Sequence, residues 1–381
     1  MLNVIVSGSH RKSYNFPFRY FFRIIINPEK LYKRQGTHIE ILLDTSDSMW
    51  RPDILPEYAN YGTNCRVVDG VEVCDYPQWV LKYTTPPRIQ QALEALKEIL
   101  AYIPADNFVS IYTFSDEVIP IVTMSPPTYA YSQLSNVQKG SQETRLYTAL
   151  NLVKDADEII VITDGSPTDP PSRVKEFSGK VIFVGVGKYY NESVLKALAD
   201  QTNGLLYHVD NLDELFKIFT ESVKEYIGAQ KVKVFLTSEF PVNLINYSGN
   251  PINLGTLEGP VRIYGYIDLP PNFSGKLLEV RVKYNVLEEE EQEIKRELYI
   301  TTASSKEDFV QSIDQDIVAE GMWYYNLRNL NEYNLNQTIN VLKNIAESTK
   351  RLDLLEYTRK LADSKGDTKR LNSEVTKRLR K

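Results

Sequence analysis

Residues 37 to about 228 alternate between short apolar runs and amphipathic segments, and this alternation constrains the fold more than any other feature. Runs that are apolar throughout are typical of strands buried on both faces of a sheet. Segments with apolar residues three and four positions apart are typical of helices. The alternation therefore predicts a doubly wound α/β domain with a mostly parallel sheet. The predicted strands lie near residues 38–43, 108–114, 118–122, 158–163, 181–186 and 205–209.

Residues 50–84 interrupt this alternation directly after the first predicted strand. They are rich in Pro, Tyr and Asn, which indicates an inserted loop, and they would lie at the carboxyl ends of the strands, beside any ligand. Inside the insertion, Asp69 and Gly70 stand between two β-branched arms, a pattern that predicts a two-residue hairpin turn.

The predicted hairpin brings the two cysteines, Cys65 and Cys74, opposite each other. Counting outward from the turn places them in a non-hydrogen-bonded pair, where Cα atoms approach to about 4.5 Å, within the range that a disulfide spans. A mesophilic cytosol would keep two reduced thiols, whereas intracellular proteins of hyperthermophiles carry disulfides. The sequence leaves both states open.

Residues 1–36 contain two strand-like runs, 2–6 and 18–26, which are too isolated to be stable alone. Strand-like runs return in residues 229–303, separated by turns that contain Pro and Gly. We expect these two segments to form one β-sandwich domain, into which the chain inserts the α/β domain of residues 37–228.

Residues 304–365 have the apolar spacing of helices. Beyond Gly366 few apolar residues remain, so residues 366–381 are predicted to be a mobile basic tail. Hydroxyl groups flanked by basic residues in such a tail are candidate kinase substrates, and the predicted acceptors are Thr368, Ser373 and Thr376. The basic residues could instead form a solvated helix face or a docking tail for an acidic surface or nucleic acid.

The composition argues against several classes of function. The chain has 381 residues, of which 42% are hydrophobic and 25% charged, as in a globular protein of two or three domains. A net charge of −6 provides no general attraction to nucleic acid or an anionic membrane, so neither is expected as a direct partner. The sequence shows no signal-peptide pattern and no apolar run of about 18 residues, so we expect a cytoplasmic protein.

Motifs that would indicate catalysis are also missing from the sequence. The three histidines, at positions 10, 38 and 208, and the two cysteines lack the spacing of a zinc site or a thiol catalyst. We find no Walker loop and no Ser/His/Asp arrangement. The chain is therefore expected not to be an enzyme.

Polar residues suited to a hard cation follow the predicted strands. The segment from Asp44 to Ser48 (DTSDS) follows the first strand, and Asp164 follows the strand near 158–163. Carboxyl ends of parallel strands gather at one edge of a sheet, where ligands bind. A small hard dication prefers oxygen ligands, which Asp44, Ser46, Ser48, Thr144 and Asp164 would supply directly or through water.

These segments resemble the von Willebrand factor A (vWA) family, which carries a metal-ion-dependent adhesion site. The DTSDS segment, the segment TRLYTAL that begins at Thr144, and the segment VITDG that contains Asp164 resemble the three loops of that site in order. The resemblance extends over residues 37–228 and implies a Rossmann-like α/β fold. It also implies that these five residues bind Mg²⁺, Mn²⁺ or Ca²⁺, whose open position takes a carboxylate from a partner protein.

Two features depart from the vWA pattern. Glu143 stands directly before Thr144, where a small residue is usual, and the long insertion begins at Trp50. Either could cover the open position of the cation or compete for it.

The predicted layout, a vWA domain within a β-sandwich followed by helices, is similar to that of Sec23/Sec24-like proteins, and the whole chain resembles archaeal vWA regulators of the ArnB type. That resemblance implies a phosphoprotein that represses archaellum expression and motility, with a forkhead-associated zinc-finger protein as partner and Ser/Thr protein kinases acting on its C-terminal part. Two alternatives stay open: a structural coat or scaffold component, and a metal-dependent enzyme such as a phosphatase or a chelatase-like ATPase subunit.

Overall fold

The structure, a computed structural model, describes residues 1–68, 71–153, 156–187, 190–210, 214–287, 289–364 and 366–380. The chain forms two compact units. One unit is Lys33–Glu225, and the other combines Met1–Tyr32 with Tyr226–Lys381.

The strands of the described residues are numbered in chain order. They are β1 Leu2–Gly8, β2 Lys12–Ser13, β3 Phe18–Pro28, β4 Tyr32–Lys33, β5 His38–Asp44, β6 Thr63–Val68, β7 Val71–Asp75, β8 Phe108–Phe114, β9 Val118–Ser125, β10 Glu158–Thr163, β11 Lys180–Val186, β12 Leu205–Val209, β13 Tyr226–Ile227, β14 Ala229–Thr237, β15 Asn243–Leu244, β16 Ile252–Leu257, β17 Val261–Leu269, β18 Gly275–Asn285 and β19 Gln292–Thr302.

The α-helices are numbered in the same way. They are α1 Arg88–Tyr102, α2 Pro127–Gln133, α3 Leu146–Leu152, α4 Glu192–Gln201, α5 Leu215–Ser222, α6 Lys306–Gln311, α7 Gln315–Arg328, α8 Leu335–Ser348, α9 Leu352–Asp363 and α10 Thr368–Arg380. None of the helices among the described residues has the length and apolar character needed to cross a membrane.

The sheet of the α/β unit has the order β12-β11-β10-β5-β8-β9, in which only β9 runs antiparallel to its neighbour. Alternate residues of the central strands enter two different cores, as expected of a sheet covered on both faces. In β5, Ile41 packs in the core that contains α1, whereas Leu42 packs in the core that contains α3 and α4. The chain leaves β5 for β8 on one side and later returns to β10 on the other. The carboxyl end of β5 is therefore a topological switch point.

The second unit contains two antiparallel sheets, of order β1-β3-β17-β15 and β16-β14-β18-β19-β2, apart from one short parallel pair between β19 and β2. The N-terminal strand β3 pairs with β17 along nine residues, from Phe18 with Leu269 to Ile26 with Val261. Both sheets contribute to one apolar core. The predicted fold class, an α/β domain inserted in a β-sandwich and followed by helices, is confirmed.

The mobile C-terminal tail was a wrong prediction. Residues Thr368–Arg380 form α10, which buries Leu371, Val375 and Leu379 in the same core as α7, α8 and α9. These three apolar residues are spaced four apart and so share one helix face. Asn246 fixes the end of the helix, because its side-chain nitrogen donates a hydrogen bond to the Leu379 carbonyl at 2.8 Å. The sequence could not reveal this, since the surface that covers α10 comes from other elements.

The insertion contains the antiparallel pair β6 and β7, with the predicted register of Arg66 with Val73, and Val68 with Val71. Cys65 and Cys74 form a disulfide in this hairpin. The predicted turn residues, Asp69 and Gly70, lie outside the described residues.

Candidate metal centre

Asp44 is the last residue of β5 and is fully buried at the switch point of the sheet. Its Oδ1 accepts a hydrogen bond from the Ser46 backbone nitrogen at 2.8 Å. Its Oδ2 accepts one from the Thr163 hydroxyl at 2.6 Å, and Thr163 is the last residue of β10. The carboxylate is thus held by the loop that follows it and by the neighbouring strand.

The two serines extend this network to the next loop. The hydroxyls of Ser46 and Ser48 are 3.1 Å apart, and Ser48 Oγ donates to Asp164 Oδ1 at 2.8 Å. Ser48 lies in a short 3-10 helix, Asp47–Trp50, which turns its hydroxyl back toward the sheet edge. Four of the five predicted ligands therefore belong to one network of hydrogen bonds and close hydroxyl contacts.

Thr144, the fifth predicted ligand, lies beside Gly165. A Cβ atom at Gly165 would lie 3.0 Å from Thr144 Oγ1 and 3.7 Å from Asp44 Oδ2. The Thr144 backbone nitrogen donates to Thr168 Oγ1 at 3.0 Å, and the side chain is buried. Glycine at position 165 therefore leaves the Thr144 hydroxyl and the Asp44 carboxylate facing the same small space.

Two buried carboxylates at one site are costly to ionise without a cation. Burial, together with the charge of Asp164, raises the pKa of the Asp44 carboxyl to about 7, against the hydrogen bonds from Thr163 and Ser46. Burial also raises the pKa of Asp164, against the opposing effect of Arg88 and Ser48. A dication would favour the ionised form of both groups, and the three hydroxyls are the neutral oxygen ligands that Mg²⁺ accepts. The residues present therefore fit a dication.

The donor set of this site is unlike that of a carboxylate-rich or zinc site. Across the part of the chain that the structure describes, no group of three or more His, Cys, Asp or Glu residues is arranged to hold a metal ion. Here two carboxylates are combined with three hydroxyls, so most of the oxygen ligands are neutral.

One residue in contact with a predicted ligand was not predicted from the sequence. Arg88, the first residue of α1, donates through Nη1 to Asp164 Oδ2 and through Nε to Asp53 Oδ2, the latter at 2.9 Å. Its side chain is 12% exposed, and that of Asp164 is 0% exposed. No local pattern marks this arginine, because its two partners lie 35 and 76 positions away.

Of the two departures from the vWA pattern, Glu143 is engaged elsewhere: it accepts a hydrogen bond from Arg145 Nε at 2.5 Å, and 46% of its side chain is exposed. The insertion does reach the site, through Asp53 and Arg88.

The predicted phosphorylation sites lie in α10. Thr368 is partly buried at the start of the helix, whereas Ser373 is 3% and Thr376 1% exposed. A kinase could not reach either buried hydroxyl without displacing α10.

Residues 39–166, which contain all five predicted ligands, match the family model of the von Willebrand factor type A domain. The α/β unit contains a vWA domain. Residues 315–381, which contain α7 to α10, match the model of the Archaellum regulatory network B, C-terminal domain. The chain thus joins a vWA domain to helices of an archaellum regulatory family.

Similar solved structures cover almost the whole chain. The ArnB paralog VWA2 from Sulfolobus acidocaldarius is 24% identical, with a TM-score of 0.78, over 100% of this chain and 98% of that one. A von Willebrand factor type A protein from Catenulispora acidiphila is 11% identical, with a TM-score of 0.63, over 94% and 89% of the two chains. The human COPII-coat protein Sec24c is 11% identical, with a TM-score of 0.52, over 92% of this chain and 58% of its own. At these identities the likeness concerns the fold.

No curated protein matches the sequence.

Proposed function

We propose that this chain is a regulator of the archaellum network that binds a partner protein through a divalent cation. The cation, Mg²⁺ or alternatively Mn²⁺ or Ca²⁺, would be held by Asp44, Ser46, Ser48, Thr144 and Asp164. The observation that carries the proposal is the network in which Ser48 joins Asp164 while Asp44 is held by Ser46 and Thr163.

The chemistry of the donor set favours binding to an acidic partner. When bound, the dication supplies positive charge at the sheet edge. The two carboxylates balance that charge, and the three hydroxyls add none, so the cation stays able to attract another anionic oxygen. A carboxylate side chain of a partner protein has the matching charge. The buried position of Asp44 and Asp164 keeps both ligands fixed while the partner binds.

The C-terminal family match supports the archaellum role. We propose a forkhead-associated zinc-finger protein as the partner and Ser/Thr protein kinases as modifying enzymes. Thr368 is the preferred acceptor, because its side chain is partly exposed in the folded chain. Phosphate at this position would lie at the start of α10, where negative charge is stabilised by the helix dipole.

The test measures binding of the purified zinc-finger partner by surface plasmon resonance in buffer freed of divalent cations, with and without added Mg²⁺. Mg²⁺ is added instead of being removed with a chelator, because a chelator would also strip zinc from the partner. We expect Mg²⁺ to strengthen binding by the wild type but not by Ser46→Ala. The matched control is Ser132→Ala, an exposed serine of α2.

Equal partner binding with and without Mg²⁺ would overturn the proposed role of the cation. Loss of Mg²⁺ dependence in Ser132→Ala as well would show that the effect of Ser46→Ala is not specific to the site.

A further inference from the structure

Arg88 places a fixed positive charge against a ligand of the candidate metal centre. Asp164 receives a hydrogen bond on each carboxylate oxygen: Oδ1 from Ser48 at 2.8 Å and Oδ2 from the Arg88 guanidinium. The other side of that guanidinium makes two hydrogen bonds to Asp53 in the insertion. Arg88 therefore lies between Asp164, a predicted ligand of the cation, and Asp53, which is not a predicted ligand.

The position of Arg88 is set by the backbone around it. The Asp53 backbone nitrogen donates to Thr85 Oγ1 at 3.0 Å, and the Thr85 nitrogen donates to the Asp53 carbonyl at 2.8 Å. Thr85 stands three residues before Arg88, so these bonds hold the Asp53 carboxylate beside the start of α1. On the far side, a Cβ atom at Gly187 would lie 3.2 Å from Arg88 Nη2, and Gly187 has a φ of +74°. The guanidinium is thus held by its hydrogen bonds to Asp53 and packs closely against Gly187.

Three carboxylates and one guanidinium have opposing effects on a dication that approaches the site. With all carboxylates ionised, Asp44, Asp53 and Asp164 contribute negative charge and Arg88 contributes one positive charge. A dication that approaches Asp44 and Asp164 is attracted by the carboxylates and repelled by the guanidinium. Asp53 reduces that repulsion, because it neutralises Arg88 from the side away from Asp164. The charges of Arg88 and Asp164, whose side chains are 12% and 0% exposed, are weakly screened, whereas that of Asp53, at 39%, is partly screened by solvent.

We propose that Arg88 is a tethered cation that lowers the affinity of the site for a dication, and that Asp53 sets how strongly it does so. This inference rests on the proposed function, because it concerns the same metal centre. It makes the insertion a determinant of metal affinity, through a residue that contributes no ligand. As a consequence, removing Arg88 should strengthen metal binding, whereas removing Asp53, its partner in the ion pair, should weaken it.

The experiment measures Mn²⁺ and Mg²⁺ affinity by isothermal titration calorimetry on the full chain. Arg88→Gln should bind each metal at least about tenfold more tightly than the wild type, because it removes a repelling charge. Asp53→Asn should bind it at least about threefold more weakly, because Arg88 is then no longer neutralised; the effect is smaller because Asp53 is partly screened by solvent. Arg51→Gln is the matched control: it removes an arginine of the insertion whose side chain is 70% exposed, and it should change the affinity by less than about twofold.

Opposite signs separate this role from a structural one, since a purely structural ion pair would weaken metal binding when either partner is removed. If Arg88→Gln fails to fold, as judged by circular dichroism, Arg88→Lys decides. This variant keeps the positive charge but loses the paired hydrogen bonds of the guanidinium to Asp53. A role of the charge then predicts a metal affinity within about threefold of the wild type, whereas a purely structural role predicts weaker binding.

The outcomes also separate this inference from the proposed function. If the wild type binds metal and Arg88→Gln or Asp53→Asn shows no change or the opposite sign, the inference is overturned and the metal centre stands. If Arg88→Gln binds metal and the wild type does not, the inference is supported and the proposed cation-dependent function is wrong. If no variant binds metal, both are overturned.

Discussion

The hydroxyl of Ser48 donates a 2.8 Å hydrogen bond to Asp164, although 116 positions separate the two residues in the sequence. This bond joins the loop after β5 to the loop after β10, and it brings together two of the loops that the vWA resemblance had identified separately. Because β5 and β10 are parallel neighbours, their carboxyl ends open at the same sheet edge.

Replacing Ser48 with alanine should weaken Mg²⁺ binding by at least about tenfold, because it removes both a ligand oxygen and the bond that orients Asp164. Without metal, the same change should lower the free energy of unfolding by about 1 kcal/mol, the typical net value of one hydrogen bond. Titration calorimetry and urea unfolding measure the two effects. Unchanged metal affinity in Ser48→Ala would remove Ser48 from the ligand set.

Replacing Asp44 with asparagine should stabilise the metal-free protein at neutral pH. The pKa of Asp44 is raised to about 7, above its unfolded value, so the folded state holds a proton that the unfolded state releases. As the pH rises from about 4 to about 7, this group therefore makes unfolding progressively easier. Asparagine does not ionise and escapes this loss.

The stability of wild type and Asp44→Asn would be measured by urea unfolding between pH 4.5 and 7.5, without divalent cations and then with Mg²⁺. We expect the difference in favour of the variant to vanish toward pH 4 and to grow toward pH 7. Added Mg²⁺ should stabilise the wild type only. A variant that is less stable than the metal-free wild type at pH 7 would contradict this interpretation of Asp44.

Replacing Leu371 with alanine should lower the free energy of unfolding by about 2–4 kcal/mol, because the side chain is 2% exposed in the core of the C-terminal helices. The matched control is Leu352→Ala, whose leucine is 77% exposed and whose removal should cost less than about 0.5 kcal/mol. Urea unfolding compares the two. Equal stability of both variants would mean that α10 does not pack as described.

Phosphorylation of the folded chain by an archaeal Ser/Thr kinase should modify Thr368 in preference to Ser373 and Thr376. The last two hydroxyls are buried, and Thr376 Oγ1 donates to the Ser373 carbonyl at 2.9 Å. Site occupancy measured over time by mass spectrometry tests this order. In Leu371→Ala, where α10 is less firmly packed, the two buried sites should be modified faster. Equal rates at all three sites in the wild type would contradict the burial of α10.

The sequence alone determined the central strands of the α/β sheet and the positions of the site loops along the chain. Strand β5 and strand β10 were predicted within one residue at each end, because apolar residues fill most positions of a strand that is covered on both faces. The DTSDS segment begins at Asp44, the last residue of β5, so its place at the end of that strand follows from the order of residues along the chain.

The tertiary structure alone decided the contacts that set the charge of the site and the order of the C-terminus. Arg88 contacts Asp53 and Asp164, which lie 35 and 76 positions away in the sequence. The apolar residues of α10, which are Leu371, Val375 and Leu379, pack in a core formed with other helices. Periodicity and propensity are local properties, and they report which face of an element is apolar. They do not report which distant surface covers that face or which distant charge meets an arginine, because those depend on how the finished elements pack.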